Sequence, residues 1–467
     1  MNRRNISVCL ITLMSALLIT FAAMGQDNRN AVIGTMSAID QKTRSNEINT
    51  AKLTEARLPN AIITNKGTYF VTANTVTIDG VSANGIISRS TNRGKDWQIT
   101  SFDYKMPKGF LYDKENDAIF FLNHVRAWRS VDDGKTFNEY SLVNAKNPLE
   151  GLFKELRDKE KSQAQTQIKK GNKPVRFAYE LTFAANPCLG IQLTNGVLVM
   201  SFKASIRKWK ALNGKYDKDG YPEVDRSRVK NILGIEADVN VLVYSRDYGK
   251  TWLQSPSTPI YNPDGTPCII DESSIAEVEE NRVMINARGG TESWLDQTAK
   301  GRRVLYQTNS ATEVSRENFT IEGFQFDEIS DGVLWDPLVH AAFAKCEYNG
   351  ITFWLFCNCY LPGEYRPRKD LMLQVSADGH HWTPVMLVSP EGKEINGYCS
   401  IYCNNNEIIL SYEDGGSEGV KVINLTETGI DKIMEAYEEN INMNNLTVPS
   451  EKKSQSLLFR LLRFISK

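Results

Sequence analysis

The stretch Asp271 to Gly290, DESSIAEVEENRVMINARGG, carries a carboxylate and a guanidinium at the same end of what reads as one hairpin. Ile275, Val278, Val283, Ile285 and Ala287 form two short apolar runs around a polar turn at Glu279 to Asn281, the alternation expected of paired strands. Folding one run onto the other sets Glu272 within about one residue of Arg288, with cross-strand partners roughly 5 Å apart. An acid and a base then stand at an open rim. A single pair of this kind reads more simply as a surface salt bridge, which contributes little, but the arrangement recurs. Arg57 stands at the open end of a second hairpin that runs through Ile62 and Ile63, turns at Asn65-Lys66-Gly67 and returns through Tyr69 and Val71. Tyr398 and Glu413 share the open end of a third, which turns at Asn404 to Asn406, and Arg368 begins a strand, Asp370 to Val375. Several hairpins therefore offer a polar group away from their turns.

The elements that must position these groups are strands. From about 51 to 428 the chain is a series of short runs of Val, Ile, Phe, Tyr and Trp, punctuated by Gly, Asn and Asp at hairpin spacing. One octet recurs: Ser90 to Trp97, Ser130 to Phe137 and Ser245 to Trp252 share Ser-x-Asp/Asn-x-Gly-Lys-x-aromatic, and Ser376 to Trp382 is a shortened copy. The octet is a turn in which Asp or Asn bonds the backbone, Gly takes a positive φ and the aromatic fills the neighbouring sheet. It is structural punctuation. The first two copies lie 40 positions apart, the length of one propeller blade, and propeller repetition leaves a central depression where strand ends converge. Periodicity alone does not give the number of blades.

Length and composition permit a large core: 467 residues, 41% hydrophobic and 24% charged. The formal net charge of -1 gives no basis for a nucleic-acid partner. Residues 1–25 have Arg3 and Arg4, an apolar run from Val8 to Ala23 and small residues before Gln26, the pattern of a secretory signal. The expectation is an exported protein, periplasmic or secreted, with no membrane span, since no other apolar run is long enough. Of eight cysteines, Cys9 lies in this leader. The remaining seven are odd in number and lack zinc-site spacing, so mostly buried thiols are expected, with room for one disulfide.

Residues 26–50 are polar and expected to be poorly ordered. Leu149 to Lys170, rich in Glu, Lys, Gln and Leu, reads as a charged surface helix inserted in the strand series. Asp217-Lys218-Asp219-Gly220 resembles a fragment of a calcium loop but is too short for one and reads as a solvated turn. Residues 429–467 read as a helical tail. Its end, Ser456 to Lys467, has Arg460, Arg463 and Lys467 on one face and Leu457, Leu458, Leu461 and Ile465 opposite; it suits docking on the propeller, or alternatively contact with a membrane surface.

In this order the motifs resemble those of the sialidase (neuraminidase) family with Asp-box repeats, of the bacterial exo-α-sialidase type. Arg57-Leu58-Pro59 stands for the family's opening Arg-Ile-Pro, and the octets for its Asp boxes. Glu272 and Asn286-Ala287-Arg288 match the mid-chain signature, and Arg368-Lys369-Asp370-Leu371 the third arginine. Gly397-Tyr398-Cys399-Ser400-Ile401 matches the segment of the nucleophilic tyrosine, and Leu410-Ser411-Tyr412-Glu413 the strand after it. Asp79 fills the position of the acid/base aspartate. Ala56, the lone Arg89 and Cys399-Ser400 depart from the usual pattern, and the last leaves open how Tyr398 is supported.

The resemblance implies an all-β fold, a six-bladed propeller of four-stranded antiparallel blades over residues 51–428, and a retaining exo-hydrolysis of terminal sialic acid from glycoproteins, glycolipids or oligosaccharides, without cofactor or metal. Arg57, Arg288 and Arg368 would hold the substrate carboxylate through charge-assisted bonds, each worth about 1.5–3 kcal/mol, and Glu413 would orient Arg57. A neutral phenol avoids the repulsion that a carboxylate nucleophile would meet beside that anion, which is why sialidases depart from the two-carboxylate scheme. Tyr398 would attack, Glu272 would take its proton, and Asp79 would protonate the leaving oxygen and then activate water. Two alternatives remain at this stage: a hydrolase or trans-glycosidase for a related acidic sugar, and a non-catalytic sialoglycan-binding propeller.

Overall fold

The computed structural model describes residues 34–35, 53–73, 75–78, 81–83, 86–101, 109–171, 177–227, 229–262, 265, 267–289, 301–328, 334–359, 368–389, 391–392, 394–414 and 420–447. The leader, most of residues 26–50, Asp79 and the stretch 456–467 expected to form a helix lie outside them.

Each octet folds into the same turn. Gly94, Gly134, Gly249 and Gly379 donate their amides to the hydroxyls of Ser90, Ser130, Ser245 and Ser376 at 2.7–3.0 Å. Asn92, Asp132, Asp247 and Asp378 accept the amides of Asp96, Thr136, Thr251 and His380 at 2.9–3.0 Å. Gly134 shows why no other residue serves: its φ is +73°, and a Cβ there would lie 2.3 Å from the ring of Phe70 in the preceding sheet.

Three of these turns lie in four-stranded antiparallel blades, of which the described residues form five, named here by their first strands; the fourth, at Ser245 to Trp252, lies in a larger sheet. The Asn60 blade holds Asn60–Ile63, Tyr69–Ala73, Ile86–Ser90 and Gln98–Ser101. The Gly109 blade runs from Gly109–Asp113 to Asn138–Leu142, the Ile270 blade from Ile270–Glu279 to Phe324–Phe326, and the Ala342 blade from Ala342–Tyr348 to Thr383–Leu387. The Cys399 blade joins Cys399–Asn404, Glu407–Glu413 and Val420–Asn424 to Gly34–Thr35. Two residues of the polar amino-terminal segment are thus ordered as an edge strand, Gly34 opposite Val422 and Thr35 opposite Lys421.

The expected count of six four-stranded blades is corrected. Among the described residues five sheets have that form, and the sheet containing Phe177–Ala185, Leu198–Tyr216, Ile232–Ser245 and Leu253–Ser257 has six strands. Its central strands are 19 and 14 residues long. They overrun blade length because Ala204, Ile206, Ala237 and Val239 continue the apolar alternation and are covered by Leu149, Leu152, Phe153 and Leu156. The last three belong to the inserted helix α1, Glu150–Lys169. The Asp217 carboxylate accepts the amides of Asp219 and Tyr221 and pairs with Arg157 of α1, which makes the calcium-like fragment a turn.

The apolar core lies between neighbouring sheets: Leu355, Leu373, Ile401 and Leu410 form one such interface, Leu111, Phe120, Met200 and Val241 another, Leu242, Val199, Ile275 and Ile285 a third. The disulfide Cys346–Cys403 ties the first strands of the Ala342 and Cys399 blades across a separation of 57 residues, a closure worth about 4 kcal/mol in the chain-entropy account. Cys188, Cys268, Cys357, Cys359 and Cys399 are buried thiols. After a short helix α2, Leu425–Thr428, helix α3, Ile430–Thr447, packs on the last two strands of the Ala342 blade. No helix among the described residues is long and apolar enough to cross a membrane.

Candidate functional site

The first strands of the Asn60, Cys399, Ala342 and Ile270 blades contact one another in turn, so the residues at their starts converge at one end of the sheets. Tyr398 immediately precedes Cys399–Asn404 and opposes Glu413, whose amide donates to the Tyr398 carbonyl at 2.9 Å. Gly397 sets the approach of the chain: its φ is +82°, and a Cβ would lie 2.8 Å from Cys359 Sγ. The Tyr398 ring is 7% exposed. The guanidinium carbons of Arg57 and Arg368 lie 5.2 and 5.8 Å from its centroid, and His340 stacks on it at 6.0 Å.

The Tyr398 hydroxyl donates to Glu272 Oε2 at 2.7 Å. Burial, then the Glu272 carboxylate, push the phenol far above its ordinary range, against a smaller pull from Arg288 and Arg368. The free hydroxyl stays protonated, and any attack by it must hand its proton to Glu272 as the new bond forms.

Glu272 and Arg288 belong to the hairpin of Ile270–Glu279 and Arg282–Gly289. The register pairs Ile270 with Gly289 and Ser273 with Ala287, so an irregularity between them sets two acids, Asp271 and Glu272, opposite the single Arg288. Arg288 Nη1 is 3.5 Å from Asp271 Oδ2 and 3.5 Å from Glu272 Oε2. Burial works against the Arg288 charge, but these carboxylates raise its pKa above the ordinary arginine value.

Arg57 Nε donates to Glu413 Oε1 at 3.1 Å, and the same oxygen accepts the Leu58 amide at 2.5 Å. Leu58 has a φ of 59°, a left-handed conformation costly for a branched side chain. Arg368 donates to the carbonyls of Asn396 and Leu338 at 3.0 and 2.8 Å. The structure therefore gathers Arg57, Arg288, Arg368, Glu272, Tyr398 and Glu413 at one location; Asp79 lies outside the described residues.

Sequence reasoning missed the layer beneath. Arg303, fully buried, donates to Asn286 Oδ1, the Asn286 carbonyl and the Val339 carbonyl at 2.7, 2.9 and 3.0 Å. Asp336 accepts the amides of Gly289 and Leu338 at 2.6 and 2.9 Å, and burial pushes its carboxyl up to about 6. Together they fix the strand end that carries Arg288 and the turn that holds Arg368. Asn286 beside Arg288 was a usable signal; nothing in sequence marked Asp336. Lys203 Nζ donates to Asp271 Oδ1, and the doublet Asp271-Glu272 was the only hint of that contact.

A cavity of about 660 Å³ runs along the axis beneath Tyr398, from Ser274, His340 and Cys399 to Glu277, Lys345 and Asn404. Chemically, the assembled site offers three guanidinium groups for a planar anion and a phenol hydrogen-bonded to a base.

No family model matches the chain, and no curated protein matches it. Solved structures similar to it include a Hadza microbial sialidase, at 17% identity over 80% of this chain and 67% of that one with a TM-score of 0.48. A mutant of Trypanosoma rangeli sialidase displaying trans-sialidase activity has 13% identity over 81% of this chain and 55% of that one, TM-score 0.47. Trypanosoma rangeli sialidase in complex with sialic acid has 12% identity over 79% and 54%, TM-score 0.47. The chain spans about half the length of the trypanosomal chains.

Proposed function

We propose that the protein is a retaining exo-α-sialidase, releasing terminal sialic acid from glycoconjugates or oligosaccharides. The observation that carries this reading is the Tyr398 hydroxyl bonded to Glu272 at 2.7 Å with Arg57 and Arg368 beside its ring and Arg288 on the same glutamate. The substrate is a 2-keto acid glycoside, whose anomeric carbon bears a carboxylate. Arg57, Arg288 and Arg368 hold that carboxylate, and Glu413 orients Arg57. As Tyr398 Oη bonds the anomeric carbon, its proton passes to Glu272, and the bond to the leaving sugar breaks with its oxygen protonated by Asp79. Water then gives a proton to the Asp79 carboxylate and attacks the same carbon. The tyrosyl bond breaks, Glu272 returns the proton to Tyr398, and two inversions leave net retention.

The test is release of free sialic acid from sialyl-lactose by the purified chain and by Tyr398→Phe. Release by the wild type and a fall of several orders of magnitude in the folded variant are expected; equal rates would remove Tyr398 from the mechanism, and a wild type inactive on every linkage would overturn the reading.

A further inference from the structure

We propose that Lys203 is a positioning residue: by holding Asp271 it keeps the Arg288 guanidinium available for the substrate carboxylate. The inference rests on the sialidase reading and deepens it. Arg57, Arg288 and Arg368 carry three positive charges, and Asp271, Glu272 and Glu413, each paired with one of them or adjacent to one, carry three negative charges. Those six groups sum to zero, a poor receptor for an anion. Lys203 makes the seventh, and its ammonium bonds Asp271 directly.

The geometry assigns Lys203 to Asp271 and to no looser role. Lys203 sits on Leu198–Tyr216 between Phe202 and Ala204, both fully buried, and opposite Asn240. Its side chain is 16% exposed and that of Asp271 14%, so their pairing is little screened by solvent. Asp238, on the same sheet, also acts on Lys203, but its carboxylate accepts from Ser205 Oγ. Burial raises both carboxyls and prevails at Asp238, whereas at Asp271 it is outweighed by Lys203 and Arg288, which together hold that carboxyl well below the usual carboxylate range. Asp271 is therefore the firm anion of the pair, with one oxygen on Lys203 and the other 3.5 Å from Arg288 Nη1. Without Lys203, Asp271 would draw Arg288 into a closed ion pair, and the substrate carboxylate would have to compete for it. The bulge that sets two acids against one arginine makes this compensation necessary; a hairpin without it would offer Arg288 to Glu272 alone.

The experiment measures kcat and KM on sialyl-lactose, and calorimetric binding of free sialic acid, for the wild type, Lys203→Met, Lys203→Arg, Asp271→Asn and the double variant Lys203→Met/Asp271→Asn. Lys203→Met should raise KM by about 10–100-fold, the value of one charge-assisted bond, with a smaller change in kcat. Lys203→Arg should recover most of the loss, and the double variant should return KM to within about threefold of the wild type, because the competing carboxylate is gone. An unaltered KM in Lys203→Met, or a double variant as impaired as Lys203→Met, would overturn the proposal, the latter by showing that Lys203 acts on substrate or fold directly. Should Lys203→Met fail to fold, Asp271→Asn alone decides: a KM no higher than the wild type supports the proposal and a tenfold rise overturns it. A wild type that binds sialic acid without cleaving it would refute the hydrolase reading while the same ratios, read in Kd, still judge Lys203; one that neither binds nor cleaves overturns both.

Discussion

Replacing Glu413 by alanine tests how the rim is held together. Glu413 is fully buried, and its Oε1 holds both Arg57 Nε and the Leu58 amide. Leaving that amide without a partner costs about 1–3 kcal/mol. The ion pair itself adds at most about 1 kcal/mol, since the Arg57 side chain is 38% exposed and screened by solvent. Against this, burial raises the Glu413 carboxyl even beside Arg57, the mark of a desolvation cost that the alanine variant no longer carries. The balance is a net loss of about 1–3 kcal/mol, measured by equilibrium unfolding in denaturant. Function should suffer more than stability: with Leu58 free to leave its left-handed conformation, Arg57 loses its aim, and misplacement by about 1 Å costs on the order of 100-fold in kcat/KM. Glu413→Gln keeps an acceptor at Oε1 and should fall between. Glu413→Ala with wild-type stability and wild-type kcat/KM would refute the reasoning, as would Glu413→Gln being worse than Glu413→Ala.

Two further perturbations address the scaffold. Gly134→Ala should cost about 1–3 kcal/mol more than Gly67→Ala, because both glycines have φ near +74° but only at Gly134 would a Cβ meet Phe70 at 2.3 Å; equal melting temperatures of the two variants would contradict this. His340 is buried beside Arg303, and its pKa is lowered to about 3 by burial first and then by that arginine. The unfolded chain, with a histidine pKa of about 6.5, binds the extra proton between those values, so this group makes stability rise with pH from about 3 to 6.5 by up to about 1.4 kcal/mol per unit. Asp336, raised to about 6, acts in the opposite sense between about 4 and 6. The wild-type minus His340→Asn difference in unfolding free energy should therefore climb with pH across that window, and a flat difference would show that His340 titrates alike in both states.

The hairpins, the repeated octet, the inserted helix and the meeting of Tyr398 with Glu413 were legible because each depends on residues close in sequence: alternation, a turn residue and its partner a few positions away. Strand length was not. Leu198–Tyr216 outruns a blade because α1 supplies a second apolar face, a contact between segments that no local pattern reveals. The two-acid bulge escaped for a similar reason, since simple alternation predicts one partner for Arg288 and the register shift at Asp271 brings two. Arg303 and Asp336 carry no local pattern that singles them out, yet both are buried with backbone partners, and only the packed sheets show it.

The most direct measurement is capture of the tyrosyl glycoside. A 2,3-difluoro-sialic acid combines a good leaving group at the anomeric carbon with a fluorine that slows the second step by disfavouring positive charge there, so a covalent species accumulates. Intact mass followed by peptide mapping should find one sialosyl adduct, on Tyr398, and none in Tyr398→Phe. An adduct on Glu272, or steady turnover of sialyl-lactose with no adduct at any residue, would contradict the account.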